Sequence, residues 1–325
     1  MASNTETEVS RKARVRAKLI ASSGGLSQAL SAGGLNGLID VTMSEALVLG
    51  LLKQGVSKYF AIFGHGSTDL GEILRVYCEE GVVCVFNCRN EVSMAHAATA
   101  LSWQYVEVCA VVTSIGPGAL QAMAGSLVAS SNGVGVYHIY GDETTWGEGY
   151  NMQQIPKAEQ SVFGRITALM GQSYVLHTPQ AIREALSRGA NCVRNPVKAG
   201  PFYFLLPLNE QPQTMQINLN TLPNDQVVDP CVTVNDSSFV AAAKLISSTS
   251  KIVIKAGGGT RGFDDHVRKL AEVSSAVVVQ SPGSTGVLPD LHPQNMHVGG
   301  SKGSISGNYA MENACLLYTS PSPRD

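Results

Sequence analysis

Two segments of this 325-residue sequence place reactive groups where a folded protein could use them. Glu91 follows the apolar run 82–86, which predicts a short buried strand, and precedes a segment with helical spacing. About two dozen residues later, the apolar run 108–112 leads into the segment Thr113-Ser114-Ile115-Gly116-Pro117-Gly118-Ala119. The carboxyl ends of parallel strands share one edge, where open α/β sheets bind ligands. We therefore expect the carboxylate and the Gly-Pro-Gly loop to line one cleft, in which a buried carboxylate is suited to proton transfer.

Glu91 also has a structural interpretation. Asn90 is a good N-cap, and a glutamate in the first turn is stabilised by the dipole of the helix that follows. The two roles are compatible, because a helix start can hold a carboxylate at the mouth of a cleft.

The elements around these segments predict an α/β fold with a doubly wound parallel sheet, followed by a truncated second α/β domain. In the first domain Thr42 caps a helix, and further helices are expected over 68–80 and 179–193. Its predicted strands are 58–63, 82–86, 108–112, 134–140 and 201–207. In the second domain strands are predicted over 251–255 and 276–280, and helices over 239–247 and 266–274.

Composition and pattern divide the chain into five parts. Residues 1–39 are expected to form a disordered or weakly helical leader, and 40–211 the first domain. The proline-rich and polar stretch 212–236 predicts a linker, and 237–314 the partial second domain. Residues 315–325 resemble the translation of a sequencing adapter, so we expect them to form irregular, exposed chain.

The segments around Glu91 and 113–119, with Gly64-His65-Gly66 and Gly141-Asp142, resemble the pyrimidine-binding domain of thiamine diphosphate enzymes. The resemblance covers 41–314 and is closest to trihydroxycyclohexanedione hydrolases, with acetolactate synthases a step further away. It implies that Glu91 is catalytic: it hydrogen-bonds the aminopyrimidine ring of the cofactor and so helps to activate the thiazolium carbon.

The resemblance also implies a set of cofactor-binding residues, which are Gly64, Thr113, Ser114, Ile115, Gly116, Pro117 and Gly118. His65 and Gln154 are implied as substrate-side residues, since the hydrolases share a Gly-His-Gly and a Gln-Gln at these points. A histidine in a glycine turn can equally be a surface residue. The sequence departs from the family at Leu120-Gln121 and around 144–150, which weakens the expectation of a particular substrate.

Three functions follow from the resemblance. Hydrolytic cleavage of a cyclic 1,2-dione comes first, acetolactate-type condensation of 2-oxo acids second, and a non-catalytic binding or regulatory subunit third. The family further implies Mg²⁺, with its ligands in a missing C-terminal domain, and a homodimer or homotetramer of the full-length protein. The 325-residue piece is expected to be inactive by itself.

Residues 257–262 satisfy GxGxxG between a strand and a helix, which on paper predicts a dinucleotide site. The next strand ends at Gln280-Ser281 without the carboxylate that would hold a ribose hydroxyl. A tight glycine turn is therefore the better interpretation. FAD is possible in this family but not supported by these residues.

Bulk properties narrow the classes of partner. A net charge of −2 gives no reason to expect nucleic acid, and no apolar stretch reaches the roughly 18 residues of a membrane span. Seven cysteines without a CxxC pair predict neither zinc nor disulfides and favour a reducing, cytoplasmic location. An organellar transit leader is conceivable, although Glu6 and Glu8 count against it. The expected partner is a small-molecule substrate.

Overall fold

A computed structural model of the chain describes residues 6–146, 161–196, 198–225 and 236–319. These residues fall into two compact units, 1–228 and 229–325. The first contains both segments that carry the predicted chemistry.

The first unit is built on a six-stranded sheet in which every pair of neighbours is parallel. Its strands are β2 (Lys58–Ile62), β3 (Cys84–Asn87), β4 (Ala110–Thr113), β5 (Val136–Asp142), β6 (Gln172–Val175) and β7 (Pro201–Pro207). Their order across the sheet is β3-β2-β4-β5-β7-β6. All residues of β4, β5 and β7 are buried, as expected for central strands covered on both faces.

Helices follow the strands along the chain. They are α3 (Met43–Lys53), α4 (Thr68–Glu79), α5 (Glu91–Tyr105), α6 (Pro117–Asn132), α7 (Val162–Met170) and α8 (Ile182–Val193). Alternate residues of β4 belong to different cores: Val112 packs in one with Leu47 of α3, and Val111 in another with Ala98 of α5. The sheet is therefore covered on both faces, and the predicted doubly wound α/β fold is confirmed.

Helices α5 and α6 are held close together by Gly125. A methyl group on its Cα would lie 2.7 Å from Ala95 Cβ and 2.8 Å from the Val92 carbonyl oxygen. Only a residue without a side chain allows the helices this separation. Both helices begin at the carboxyl edge of the sheet, and this contact joins the middle of α6 to the first two turns of α5.

The residues of the leader 1–39 that the structure describes are largely helical, so of the two alternatives predicted for it the disordered one is wrong for them. Two helices form, α1 (Glu8–Ser22) and α2 (Leu26–Ser31). Ala13, Ala17 and Ile20 are spaced along one face of α1 and are all buried in the main core. These residues are mostly small, so the apolar stripe that they form was weak in the sequence.

Two arginines of α1 have acidic partners on other helices, which offset the repulsion within the basic cluster. Arg14 contacts Glu79 and Glu80 at the end of α4. Arg16 donates to the Glu45 carboxylate at 2.7 Å, and the same carboxylate accepts from the hydroxyl of Tyr77 at 2.8 Å. The Glu45 side chain is fully buried and that of Arg16 only 14% exposed, so this pair lies largely out of water.

The linker prediction for 212–236 is also wrong in part. Thr214–Asn218 form β8, which pairs antiparallel with β1 (Leu38–Thr42) in a separate two-stranded sheet. Polar and apolar residues alternate in this segment, and Met215 and Ile217 face the main core. That period of two was hidden among the turn-forming residues on either side. Helix α7 and strand β6 were likewise not predicted.

The second unit contains a four-stranded parallel sheet of order β11-β10-β9-β12. Its strands are β9 (Ile252–Ala256), β10 (Val277–Gln280), β11 (Asn295–Val298) and β12 (Leu316–Thr319), and its helices are α9 (Asp236–Ser247), α10 (Asp264–Ser274) and α11 (Ile305–Glu312). The predicted second α/β domain is thus present.

Strand β12 contradicts the expectation that 315–325 is irregular chain. Residues 316–319 pair with β9 along its length. Only Leu316 packs against the core, however, and the other three residues are exposed. The free edge of β9 offers unpaired backbone groups that a short β-prone segment can satisfy. The expectation that this segment is exposed therefore holds for residues 317–319. The expectation that it is irregular chain is wrong for residues 316–319.

We predict that Arg16→Ala destabilises the chain by about 3–5 kcal/mol, because it leaves the buried Glu45 carboxylate without its cation. Urea unfolding would measure the loss. Lys12→Ala, which removes an exposed pair with Glu8 in the same helix, is the matched control and should change nothing measurable. Equal effects of the two substitutions would mean that the Arg16–Glu45 pair does not hold α1 in place.

A second prediction concerns His138 in β5, whose Nδ1 lies 2.9 Å from the hydroxyl of Tyr140. Complete burial lowers the pKa of His138 to about 3, whereas an unfolded histidine has a pKa of about 6.5. The unfolded chain therefore binds a proton that the folded chain does not. The free energy of unfolding is therefore not reduced by His138 above pH 6.5. It falls by up to about 1.4 kcal/mol per pH unit as the pH drops toward 3.

Urea midpoints between pH 7 and pH 4 would test this for the chain and for His138→Phe, which cannot titrate. We expect a shallower acid slope in the variant, whatever its stability at pH 7. Parallel slopes would show that His138 is protonated in the folded state.

Candidate active site at the carboxyl edge of the sheet

Glu91 is the first residue of α5, directly after the loop that leaves β3. The side chain of Asn90 caps the helix by accepting a hydrogen bond from the Ser93 N–H at 3.0 Å. The structural interpretation of this segment is therefore confirmed. It also fixes the carboxylate at the carboxyl edge of the sheet, because the cap sets where the helix begins.

Gly118 is the point at which the two predicted segments meet. A methyl group on its Cα would lie 2.6 Å from Thr113 Oγ1, 2.7 Å from Ser114 Oγ and 3.3 Å from Glu91 Oε1. Oxygen atoms from the end of β4 and from the start of α5 thus converge on one small space. That space exists because residue 118 has no side chain.

Two of these oxygens have unused hydrogen-bonding capacity. Thr113 Oγ1 is buried and has no partner among the described residues. Over the same part of the chain no hydrogen bond or ion pair joins the Glu91 carboxylate to another side chain. Buried polar groups are normally satisfied, and an unsatisfied hydroxyl beside a carboxylate in a glycine-lined space is typical of a ligand site. The aminopyrimidine ring of thiamine diphosphate fits this set, since it is flat and carries N–H donors and ring-nitrogen acceptors.

The loop from Thr113 to Gly118 divides into parts with different surroundings. Ile115 is fully buried and packs with Phe163 and Leu205, so only its backbone is available to a ligand. Gly116 has a φ of 63°, which favours glycine at this turn. Pro117 is exposed in the first turn of α6, where a proline loses no hydrogen bond. The segment therefore presents Thr113, Ser114 and Gly118 to the space beside Glu91.

Gly64, His65 and Gly66 follow β2 and lie against the same loop. A methyl group on Gly64 would be 3.0 Å from Ser114 Cβ, and one on Gly66 only 2.3 Å from Ile115 Cγ1. The Ile115 N–H donates to the carbonyl oxygen of His65 at 3.1 Å. The structure therefore brings His65 to the same edge of the sheet as Glu91. The remaining substrate-side candidate, Gln154, lies outside the described residues.

Two residues at this edge were missed by the sequence interpretation. Glu143, directly after β5, places Oε1 3.5 Å from Nε2 of His65. Gln211, after β7, donates from Nε2 to the carbonyl oxygens of Gly66 and Leu206 at 2.6 and 2.9 Å. The carboxylate after Gly141-Asp142 was a visible signal for Glu143. Gln211 had none, because its role depends on a contact between residues far apart in sequence.

In the second unit the GxGxxG segment forms a short 3₁₀ turn, Gly258–Thr260, after β9. The side chain of Gln280 at the end of β10 donates to Asn295 Oδ1 and accepts from the Gly286 N–H. The group at the position of a ribose-binding carboxylate is thus used within the protein. No cluster of three His, Cys, Asp or Glu side chains able to hold a metal occurs in the described residues. Across the same residues, no helix combines the length and hydrophobicity that crossing a membrane requires.

Comparison with known families agrees with this geometry. Residues 41–162 match the family described as "Thiamine pyrophosphate enzyme, N-terminal TPP binding domain", which includes β2 to β5 and the Glu91 site. Residues 240–318 match "Thiamine pyrophosphate enzyme, central domain". The chain belongs to the thiamine pyrophosphate enzymes. The first unit thus contains the cofactor-binding domain that the resemblance predicted, and the second unit contains the central domain.

Individual relatives are more distant. The chain is 27% identical over 300 residues to a 3D-(3,5/4)-trihydroxycyclohexane-1,2-dione hydrolase of Bacillus subtilis, covering 86% of this chain and 46% of that protein. A hydrolase of the same name from Lacticaseibacillus casei is 26% identical over 298 residues, with the same coverage. The large subunit of acetolactate synthase isozyme 3 from Escherichia coli is 25% identical over 282 residues, 85% of this chain and 47% of that protein. The chain spans about half the length of these curated relatives.

Gly118→Ala tests whether the oxygen atoms of Thr113, Ser114 and Glu91 converge on the small space at residue 118. We predict a loss of about 1–3 kcal/mol in the free energy of unfolding, because the new methyl group must displace the buried Thr113 hydroxyl. Gly200→Ala is the matched control, since a methyl group there meets nothing within 4 Å. Urea unfolding of both variants measures the two free energies of unfolding for comparison with the unmodified chain. Equal stability would mean that the space beside Glu91 is wider than the structure shows.

Proposed function

We propose that this chain provides the pyrimidine-binding and central domains of a thiamine diphosphate-dependent enzyme that processes carbon–carbon bonds. The convergence of Glu91, Thr113 and Ser114 on the space at Gly118 is the observation that carries the proposal. A pyrimidine ring needs a carboxylate acceptor, nearby hydroxyls and a close approach to the backbone, and all three are present at this point.

The protein's own residues have distinct tasks in this proposal. Glu91, which is half-buried at the cleft, holds a hydrogen bond to the pyrimidine ring and shifts proton density on its nitrogen atoms. The hydroxyl groups of Thr113 and Ser114 orient the ring, and Gly64 and Gly118 let it approach the main chain. When bound, thiamine diphosphate supplies the nucleophilic carbon and the electron sink for cleaving bonds beside a carbonyl group.

For the reaction, we propose hydrolytic ring opening of a cyclic 1,2-dione, with His65 on the substrate side of the cleft. The two hydrolases compared above and the glycine-flanked histidine support this choice. Acetolactate-type condensation of 2-oxo acids is the second candidate, supported by the similarity to the synthase large subunit. Both reactions use the same carboxylate at the same place.

The diphosphate group and Mg²⁺ need oxygen ligands, which we propose are supplied by a further domain of the full-length protein. We also propose that a second subunit completes the cleft, so that the full-length protein is a homodimer or homotetramer acting in the cytoplasm. A non-catalytic binding subunit remains the alternative from another class. It would have no use for a half-buried carboxylate and a buried, unsatisfied hydroxyl that face the same small space.

Glu91→Gln in the full-length protein tests the proposal. We expect turnover of cyclohexane-1,2-dione or pyruvate to fall by about 10²–10⁴-fold, because the amide keeps the shape but not the charge that moves the proton. The thermal midpoint should not change.

Glu107→Gln is the matched control. Glu107 pairs with Lys58 just before β4, at the opposite edge of the sheet, so the same chemical change should leave turnover intact. A Glu91→Gln enzyme with normal thiamine diphosphate-dependent turnover would leave Glu91 with only its interaction with the dipole of α5. Absence of any such turnover in the unmodified protein would favour the binding subunit.

A further inference from the structure

The Gly64-His65-Gly66 loop is held on several sides and is not a free surface turn. Ser67 Oγ lies 3.1 Å from both the N–H and the carbonyl oxygen of Gly64. The Ile115 N–H binds the carbonyl oxygen of His65, and the Gln211 side chain binds that of Gly66. The loop therefore has hydrogen bonds to the ends of β4 and β7 as well as within itself. These hydrogen bonds fix the position of the His65 backbone, from which its side chain extends.

Gly66 and Gly141 bring β5 close to this loop. A methyl group on Gly141 would lie 2.5 Å from the carbonyl oxygen of Gly66, so a larger residue would push the loop away from β5. The close approach brings Glu143, two residues after Gly141, within 3.5 Å of the His65 imidazole. The contact between these two side chains is thus a consequence of the two glycines.

The side chains of Glu143 and His65 differ strongly in their exposure to solvent. The Glu143 side chain is 1% exposed, whereas that of His65 is 45% exposed. In the Arg16–Glu45 pair, by contrast, both side chains are largely buried and the pair joins two helices. A buried carboxylate behind an accessible imidazole, at the ligand-binding edge of a sheet, is the arrangement that orients a histidine toward a reactant.

We propose that Glu143 is a positioning residue for His65, and that His65 contacts a carbonyl or hydroxyl oxygen of the substrate. Glu143 Oε1 lies 3.5 Å from Nε2 of the imidazole, which is an ion-pair contact and not yet a hydrogen bond. With substrate bound, Nε2–H would donate to the carboxylate, which would fix the ring and leave Nδ1 as the nitrogen that meets the substrate. Gln211 supports the same arrangement through the backbone of Gly66. This inference rests on the proposed function for its substrate, but not for the contact between the two side chains.

A double-mutant cycle in the full-length protein is the first test, with cyclohexane-1,2-dione as the probe substrate and pyruvate in parallel. We expect His65→Ala to lower kcat/KM by about 10²-fold, as for loss of a positioned proton-transfer group, and Glu143→Gln to lower it less. If Glu143 acts through His65, adding Glu143→Gln to His65→Ala should cause no further loss. Independent, multiplicative losses would overturn the proposal, and so would a normal Glu143→Gln enzyme.

Asp69→Asn is the matched control, because it removes a half-buried carboxylate two residues beyond Ser67. It should leave kcat/KM unchanged. The thermal midpoints of all variants separate a folding defect from a kinetic one. If Glu143→Gln lowers the midpoint, Gln211→Ala replaces it in the cycle, because it loosens the same loop from a different contact.

The second test uses the 325-residue chain without cofactor, so that it is independent of the reaction. Diethyl pyrocarbonate acylates accessible histidines, and peptide mass spectrometry follows His65 with the exposed His96 as internal reference. Loss of the carboxylate should slow acylation of His65 in Glu143→Gln while the His96 rate stays the same. An unchanged or faster His65 rate would mean that the carboxylate does not activate the imidazole. If Glu143→Gln slows acylation of His65 but the full-length protein shows no turnover, the proposed function is refuted. The contact between Glu143 and His65 is then still supported.

Discussion

The close approach of backbone segments at the carboxyl edge of the first sheet is the constraint on which the site depends. Gly66 lies against Gly141 and Ile115, and Gly118 lies against Thr113 and Ser114. Parallel strands deliver their loops to one edge, but side chains would normally keep those loops apart. Glycines at these points let the loops touch. The site therefore arises from contacts between main chains, and the functional side chains take their places from those contacts.

Much of the fold could be predicted because its strongest signals are local. Five of the six strands of the first sheet lie in short apolar runs, and Asn90 and Pro117 indicate where α5 and α6 begin. The segment around β8 and the helix α1 could not be predicted in the same way. The pairing of β8 with β1 joins residues more than 170 positions apart, and the buried face of α1 consists mainly of small residues. Such elements are stabilised by tertiary packing, which leaves a weak trace in local pattern.

The residues of the site also divide into those that local sequence predicted and those that depend on tertiary contacts. Glu91 and the loop after β4 were visible because a reactive residue and a glycine motif each follow an apolar run. Their meeting at Gly118 required the sheet order β3-β2-β4, which local sequence does not specify. Gln211 contributes through a single long-range hydrogen bond, and nothing in its surroundings marks it. Family membership rests on the matched domains, whereas the individual roles of Glu91, His65 and Glu143 rest on geometry and remain proposals.

The space beside Glu91 also limits how this protein can diverge. Residue 118 already carries the smallest possible side chain, and the next larger one would collide with two hydroxyl groups. Evolution therefore has no graded series of substitutions at that position by which to widen or narrow the pocket. Diversification of the ring-binding face must proceed through Ser114, which is only half-buried, or through the loops that follow β2 and β5. At position 118 the shape of the space beside Glu91 is thereby set by the main chain and not by the choice of a side chain.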